Sequence, residues 1–314
     1  MNAFASAPKP AAVSAPEAWT LTDWLAHIQT QHWRSVDMNL ERIAAVWEQL
    51  RGERCGWVIA VVGTNGKGSC AAMLDAALRG VGLRTGRYTS PHLVRYNERI
   101  RVDGAAADDA ELCAAFAEIE RARGAIPLTY FEFGTLCALR IFARRRVEVS
   151  ILEAGLGGRL DAINLVGNDI ALITSIGIDH AQWLGDSREA IAAEKAGVLR
   201  RGAMAVCAEP HPPRSIARIA AERDCELLQS GRDYRIESRG DGIAWCSDHA
   251  AIPSAWRRLN RLATPRALGG ARQIGNLGGV VATLALSCAR LPRHGNNAIE
   301  PQVALDGLAN TRLA

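Results

Sequence analysis

The stretch Trp57 to Leu74, WVIAVVGTNGKGSCAAML, decides the fold: an apolar run, a glycine-rich turn with one lysine, then an amphipathic segment. Val58 to Val62 reads as a fully buried strand, whereas Cys70, Met73, Leu74, Ala77 and Leu78 recur at helical spacing. A strand, a turn and a helix start make an anion site. Backbone N–H groups of the turn and the helix N-terminus point outward, glycines admit a close approach, and Lys67 adds a point charge. Ser69 offers a hydroxyl to a phosphate-bound Mg²⁺. The spacing is unusual, because Gly63 and Gly66 enclose only Thr64 and Asn65 where the common nucleotide loop has four residues before its Gly-Lys pair. The bland alternative is a tight turn with a surface lysine.

Composition narrows the class. With 314 residues, 48% hydrophobic and 22% charged, the chain has material for a large core. A net charge of +4 without basic clusters interleaved with aromatics argues against a nucleic-acid binder. The eight cysteines show neither CxxC pairs nor metal-ligand spacing, which implies a reducing, cytoplasmic setting. No run approaches the length of a membrane span. Residues 1–16, rich in Ala, Pro and Ser, are expected to be a disordered tail.

Outward from the loop, helices are expected over LTDWLAHIQ, with Thr22 or Asp23 as cap, and over MNLERIAAVWEQL. Leu83 to Thr89 should be a strand ending at Ser90-Pro91-His92, and Asn97 to Val102 a hairpin or edge ribbon. Asp108 caps a helix ending at Gly124, and Thr129 to Arg146 carries Tyr130, Phe131 and Phe133 into another. Val147 to Leu152 delivers Glu153 into AGLGGRLDAIN; Asp169 to Ile176 leads to Asp179-His180. Asp186 and Glu189 are expected to cap the helix that bears Lys195. Ala203 to Cys207 is a further strand, Ile216 to Arg223 a helix, Tyr234 to Ile236 with Ile243 to Trp245 a hairpin, and Gln273 to Ala289 and Pro301 to Ala309 helices.

Alternating strands and helices predict an α/β fold, a mostly parallel sheet flanked by helices with a small additional β hairpin region. Ligands of such sheets collect at the carboxyl ends of the strands. The Gly63 loop, Ser90, Glu153 and His180 each follow a strand, so they converge on one edge. Glu153 with the Ser69 and Ser90 hydroxyls suits Mg²⁺ better than Zn²⁺, since no second His or Cys stands at zinc spacing. Structural alternatives stay open for three residues: Glu153 as an N-cap or partner of Arg159, His180 held by Asp179 or Asp186, and Lys195 as a charge opposing a helix dipole.

Taken together, LTDWLAHIQTQHWRSVDMNLERI, GTNGKGS, YTSPHLVRYNERIRV, LTYFEFGTL, ILEAGLGGRLDAIN, TSIGIDH and EKAGV resemble, in order, the folylpolyglutamate synthase and dihydrofolate synthase family of the Mur ligase superfamily. The resemblance implies a P-loop NTPase-like central domain over residues 17–314 that joins L-glutamate to dihydropteroate or folate through an acyl phosphate made with ATP. It implies ATP binding by Thr64, Asn65, Gly66, Lys67, Gly68 and Ser69, with Asn276 near the adenine. Two Mg²⁺ ions would sit on Ser90, Glu153 and His180; Thr129, Tyr130, Phe131 and Glu132 with Leu160, Asp161 and Ala162 would line the dihydropteroate pocket. Lys67, Lys195 and His180 would be the catalytic set, with Lys195 matching a lysine that is carbamylated in relatives. The chain is expected to act as a monomer, without nucleic-acid or membrane partners.

Two departures stand out. Ile163 replaces a usual threonine, and the sequence stops at Ala314 where the family continues with a Gly-Arg pair and a C-terminal glutamate-ligase domain. The expectation is therefore an ATPase-type domain that binds nucleotide weakly and does not ligate glutamate alone. The competing readings are another Mur-type amino-acid ligase and a non-catalytic nucleotide-binding paralogue.

Overall fold

The computed structural model describes residues 19–311 apart from 33, 35, 241, 263–270 and 292–298. The tail expected over residues 1–16 lies outside the described residues. Helices α1 (Leu21–Gln29) and α2 (Glu41–Gln49) precede the central strand β1 (Trp57–Val62), which feeds α3 (Lys67–Gly80) and β2 (Thr85–Tyr88). A short edge follows, β3 (Ile100–Val102) with β4 (Ala105–Ala106), then α4 (Asp109–Arg123), α5 (Tyr130–Arg145) and β5 (Val149–Glu153). The second half holds β6 (Ile170–Ile173), α6 (Ala181–Leu184), α7 (Arg188–Ala196), β7 (Met204–Cys207), α8 (Arg214–Glu222) and β8 (Glu226–Gln229). Last come β9 (Arg235–Arg239), β10 (Gly242–Cys246), β11 (Arg258–Leu262), α9 (Ala271–Arg290) and α10 (Pro301–Ala309).

The main sheet runs β4-β3-β2-β5-β1-β6-β7-β8, and β11-β10-β9 form a second, antiparallel sheet. From β2 to β8 every pairing in the main sheet is parallel; β3 and β4 are antiparallel edges. Because successive side chains of a strand point to opposite faces, β1 splits its load. Val58, Ala60 and Val62 join the cluster that holds Trp24 of α1, Ile43 of α2, Phe116 of α4, Phe133 of α5 and Ile216 of α8. Ile59 and Val61 join the opposite cluster with Met73 of α3, Val280 of α9, Trp245 of β10 and Leu308 of α10. A strand buried on both faces explains the unbroken apolar run.

Several boundaries differ from expectation for local reasons. The first helix is capped by Thr20, with Asp23 closing the box from inside: the Thr20 hydroxyl accepts from Asp23 N and the Asp23 carboxylate accepts from Thr20 N. Ser187, not Asp186, caps α7. Glu189 caps in trans, its two carboxylate oxygens accepting from Arg214 N and Ser215 N, both at 2.9 Å, at the start of α8. Asn97 to Arg99 is a 3₁₀ turn rather than strand. Its Glu98 carboxylate collects the backbone N–H groups of Leu93, Val94 and Arg95, which folds residues 93–99 into a compact loop. The expected hairpin forms as β9 and β10, and its connecting Asp241 lies outside the described residues.

Helices α3 and α10 cross at two glycines. A Cβ built on Gly307 would stand 2.7 Å from Ala76 O and 3.0 Å from Gly80 Cα. Backbone cannot yield cheaply there, so Gly307→Val should separate the helices and lower stability by about 1–3 kcal/mol. Val303→Ala, at an exposed position of α10, should stay within about 0.5 kcal/mol of wild type. Denaturant unfolding of the two variants checks this; equal stability would show that the crossing is not tight.

Candidate functional site

The register explains why distant residues meet. Val61 pairs with Glu153 and Val62 with Ile173, so the loop after β1 lies level with the ends of β5 and β6. Tyr88 pairs with Leu152, which brings Ser90 beside Glu153: the Ser90 N–H donates to Glu153 Oε2 at 3.2 Å. The glycine loop enters α3 through Gly66, whose φ of +84° suits glycine, and a Cβ there would lie 2.4 Å from Asn276 Nδ2 of α9. Thr64 and Asn65 are strapped to the segment after β6. Thr64 Oγ1 bonds Gly177 N and O, the Thr174 hydroxyl donates to Asn65 O, and Asn65 N donates to Ser175 Oγ.

Two ammonium groups converge on one carbonyl. Lys67 Nζ donates to Gly63 O at 3.2 Å, and Lys195 Nζ, reaching across from α7, donates to the same oxygen at 2.9 Å. Lys195 is 3% exposed, so the reading of a charge merely opposing a helix dipole does not describe it. Burial, reinforced by Lys67, pushes its ammonium down to about 8. Opposite them, burial pushes Glu153 up to about 7 against the pull of Lys67, and Asp161 up to about 6. Asp161 accepts from Leu156 N and Ile163 N, both at 3.0 Å, and so shapes the turn that follows β5. Gly68 and Ser69 begin α3, and a Cβ on Gly68 would stand 3.5 Å from Glu153 Oε2. Glu153 is not the partner of Arg159, which pairs instead with Glu194.

The site opens into two cavities. One, of about 780 Å³, is walled by Ser90, Tyr130, Phe131, Leu160, Asp161, Ala162 and His180. Thr129 and Glu132 also reach it, but their polar atoms already serve as the capping box of α5, and Glu132 Oε1 pairs with Arg42 at 3.2 Å. Arg42 in turn holds Asp37 at 3.1 Å, tying the segment after α1 to the rim. His180 sits with φ of +49° at the start of α6, exposed, its ring 3.7 Å from Asp179. The second cavity, about 520 Å³, lies on the other side of the loop between Asn65, Gly66, Ser175, Gly177, Glu209 and Asn276. Asn276 Nδ2 donates to Gln273 Oε1 there. Thus Asn65, Gly66 and Asn276 of the expected nucleotide residues border one cavity and the expected acid-substrate residues the other with Ser90, while Thr64, Lys67, Gly68 and Ser69 line neither. Among the described residues no group of three His, Cys, Asp or Glu side chains is arranged to hold a metal.

Sequence reasoning missed Thr174, Ser175, Glu209, Arg42 and Arg99. The first two stand inside TSIGIDH and Arg99 inside YNERIRV, so the signal was position within a quoted motif rather than residue chemistry.

The buried Lys195 sets a pH test. A lysine whose folded pKa is depressed binds fewer protons folded than unfolded between about 8 and 10.5, so its contribution rises with pH across that window. Lys195→Met removes the titration. Denaturant unfolding should show wild type gaining on the variant as pH climbs through that range; a pH-independent difference would refute it.

No protein-family model matches the chain. The dihydrofolate synthase/folylpolyglutamate synthase of Escherichia coli K12 is 43% identical over 233 residues, covering 74% of this chain and 55% of that enzyme. The chain thus spans about half the length of that curated relative. Among solved structures, E. coli FolC in complex with DHPP and ADP superposes with a TM-score of 0.84 at 38% identity, covering 96% of this chain and 67% of that one. A bifunctional folylpolyglutamate synthase/dihydrofolate synthase with Mn, AMPPNP and L-glutamate bound gives 0.80 at 38%, covering 98% and 68%. No helix among the described residues is long and apolar enough to cross a membrane. Motif order, the strand-end constellation and these likenesses agree, and the chain belongs to the dihydrofolate synthase/folylpolyglutamate synthase family.

Proposed function

We propose that the protein acts in ATP-dependent amide formation, joining L-glutamate to dihydropteroate, to a folate, or to both. The observation that carries this reading is the phosphate loop flanked by two cavities, one bordered by Asn65, Gly66 and Asn276 and the other by Tyr130 and Phe131. A nucleotide in the first would present its terminal phosphate to an acid in the second. Oxygen of the bound carboxylate attacks the γ-phosphorus, the bond to the β-phosphate oxygen breaks, and ADP leaves. The amine of glutamate then attacks the acyl carbon, phosphate departs and the amine loses a proton. The chain's part is positional and electrostatic. N–H groups at the start of α3 with Lys67 meet the phosphates, and Tyr130 and Phe131 offer flat faces to a pterin.

Glu153, raised by burial in spite of Lys67 and Arg87 nearby, fits a hard divalent cation, with the Ser69 and Ser90 hydroxyls as neighbours and His180 on the cavity rim. Two Mg²⁺ ions would offset charge on the β- and γ-phosphate oxygens. With no three-residue acid or imidazole cluster among the described residues, phosphate oxygens and water must complete the shell, which suits Mg²⁺. In the same reading burial, by lowering the Lys195 pKa to about 8, makes its neutral amine accessible to CO₂: the ammonium first loses a proton, the C–N bond then forms with loss of a second, and a cation has become a carbamate anion. The relatives' complexes with ADP, with AMPPNP and Mn, and with L-glutamate support the ligand classes. The protein would work as a monomer in the cytoplasm, and its eight free thiols support that compartment.

The test begins with calorimetric titration of Mg-ATP, followed by phosphate release and labelled-glutamate incorporation with dihydropteroate and tetrahydrofolate supplied separately. Phosphate release should rise with a pterin acid, and Lys67→Ala should lower it about 100-fold or more. ATP binding with no response to either acid would favour a non-catalytic nucleotide-binding module instead.

A further inference from the structure

The larger cavity holds a buried cation that has no counter-ion among the described residues. Arg99 is 9% exposed and lines the wall. Its Nε donates to His92 Nδ1 at 2.8 Å, and its guanidinium lies over the rings of Tyr96 and Tyr130, 5.5 and 5.4 Å from their centroids. Among the described residues no carboxylate pairs with Arg99, and its two terminal amino groups make no hydrogen bond. The carboxylates of the same wall are already engaged: Asp37 and Glu132 by Arg42, and Asp161 by Leu156 N and Ile163 N. Two aromatic faces offset only part of the cost of burying a guanidinium. A bidentate carboxylate would offset the rest, because the planar fork matches its two oxygens. Nε is anchored at His92 and the guanidinium rests against the Tyr96–Tyr130 ring pair, so the free edge is preorganised.

We propose that Arg99 is the carboxylate-recognition residue of this cavity, its terminal amino groups receiving a carboxylate of the acid substrate whose ring system rests near Tyr130. The assignment rests on the functional reading above and deepens it. The carboxylate has two sources, the aryl carboxylate of dihydropteroate or a glutamyl carboxylate of a folate. Arg99 is placed here as a specificity-determining residue.

Calorimetry on the full chain decides the matter with three ligands: dihydropteroate, its analogue with hydrogen in place of the carboxylate, and tetrahydrofolate. Arg99→Gln should weaken dihydropteroate binding about 10- to 100-fold while changing the descarboxy analogue less than about 2-fold, and Arg99→Lys should recover part of the loss. A loss confined to tetrahydrofolate would assign the contact to a glutamyl carboxylate. An equal loss for the acid and its descarboxy analogue, or no loss in any arm, overturns the proposal, because a purely structural arginine cannot tell the two ligands apart. Should wild type bind neither acid, the reading of the cavity itself fails, and Arg99's role falls with it.

Discussion

The carbonyl oxygen of Gly63 receives two ammonium groups, Lys67 from the start of α3 and Lys195 from α7, and the surrounding structure answers to that concentration of charge. Cations this close repel, and burial removes the water that would screen them. The molecule responds in two ways. Lys195 is pushed toward its neutral form, and Glu153 and Asp161 stand near enough to feel Lys67, yet too buried to ionise as freely as surface acids. The result is a pocket short of negative charge beside a helix N-terminus. Such a pocket suits an anion.

Holding that arrangement takes a rigid frame. β1 is buried on both faces, flanked by β5 and β6 in parallel register, and the residues that touch the loop leave the ends of those neighbours. The straps from Thr174, Ser175 and Gly177 to Thr64 and Asn65 fix the loop from the β6 side. Glu153 and Ser90 border it from the β5 and β2 side. Each cavity is therefore bounded by a different set of strand ends.

Much of this was legible in the residues. The apolar run of β1 could only be a doubly buried strand once glycines and a lysine followed it, and the helical spacing of α3 is borne out over Lys67–Gly80. Caps were harder. Asp23 and Glu189 carry the right chemistry, but a carboxylate can satisfy N–H groups of its own helix or of a neighbour, and spacing does not choose. Asp23 closes a box begun by Thr20, whereas Glu189 serves α8. The Asn97–Arg99 turn resembles a strand by alternation, yet Glu98 draws three backbone N–H groups into a loop instead. β8 and β11 escaped notice, since ELLQ and RLNRL are short and carry none of the β-branched or aromatic residues of strong strand preference.

By itself the sequence determined most of the order of strands and helices, the glycine-rich loop between β1 and α3 and the family, because those depend on local periodicity and on residues contiguous in the chain. The tertiary structure alone decided that Lys195 shares an oxygen with Lys67, that Arg159 belongs to Glu194 rather than Glu153, and that Arg99 faces a cavity with no carboxylate partner among the described residues. The reason is physical: which charge meets which depends on strand order and register, and parallel strands joined through helices bring together residues more than a hundred positions apart.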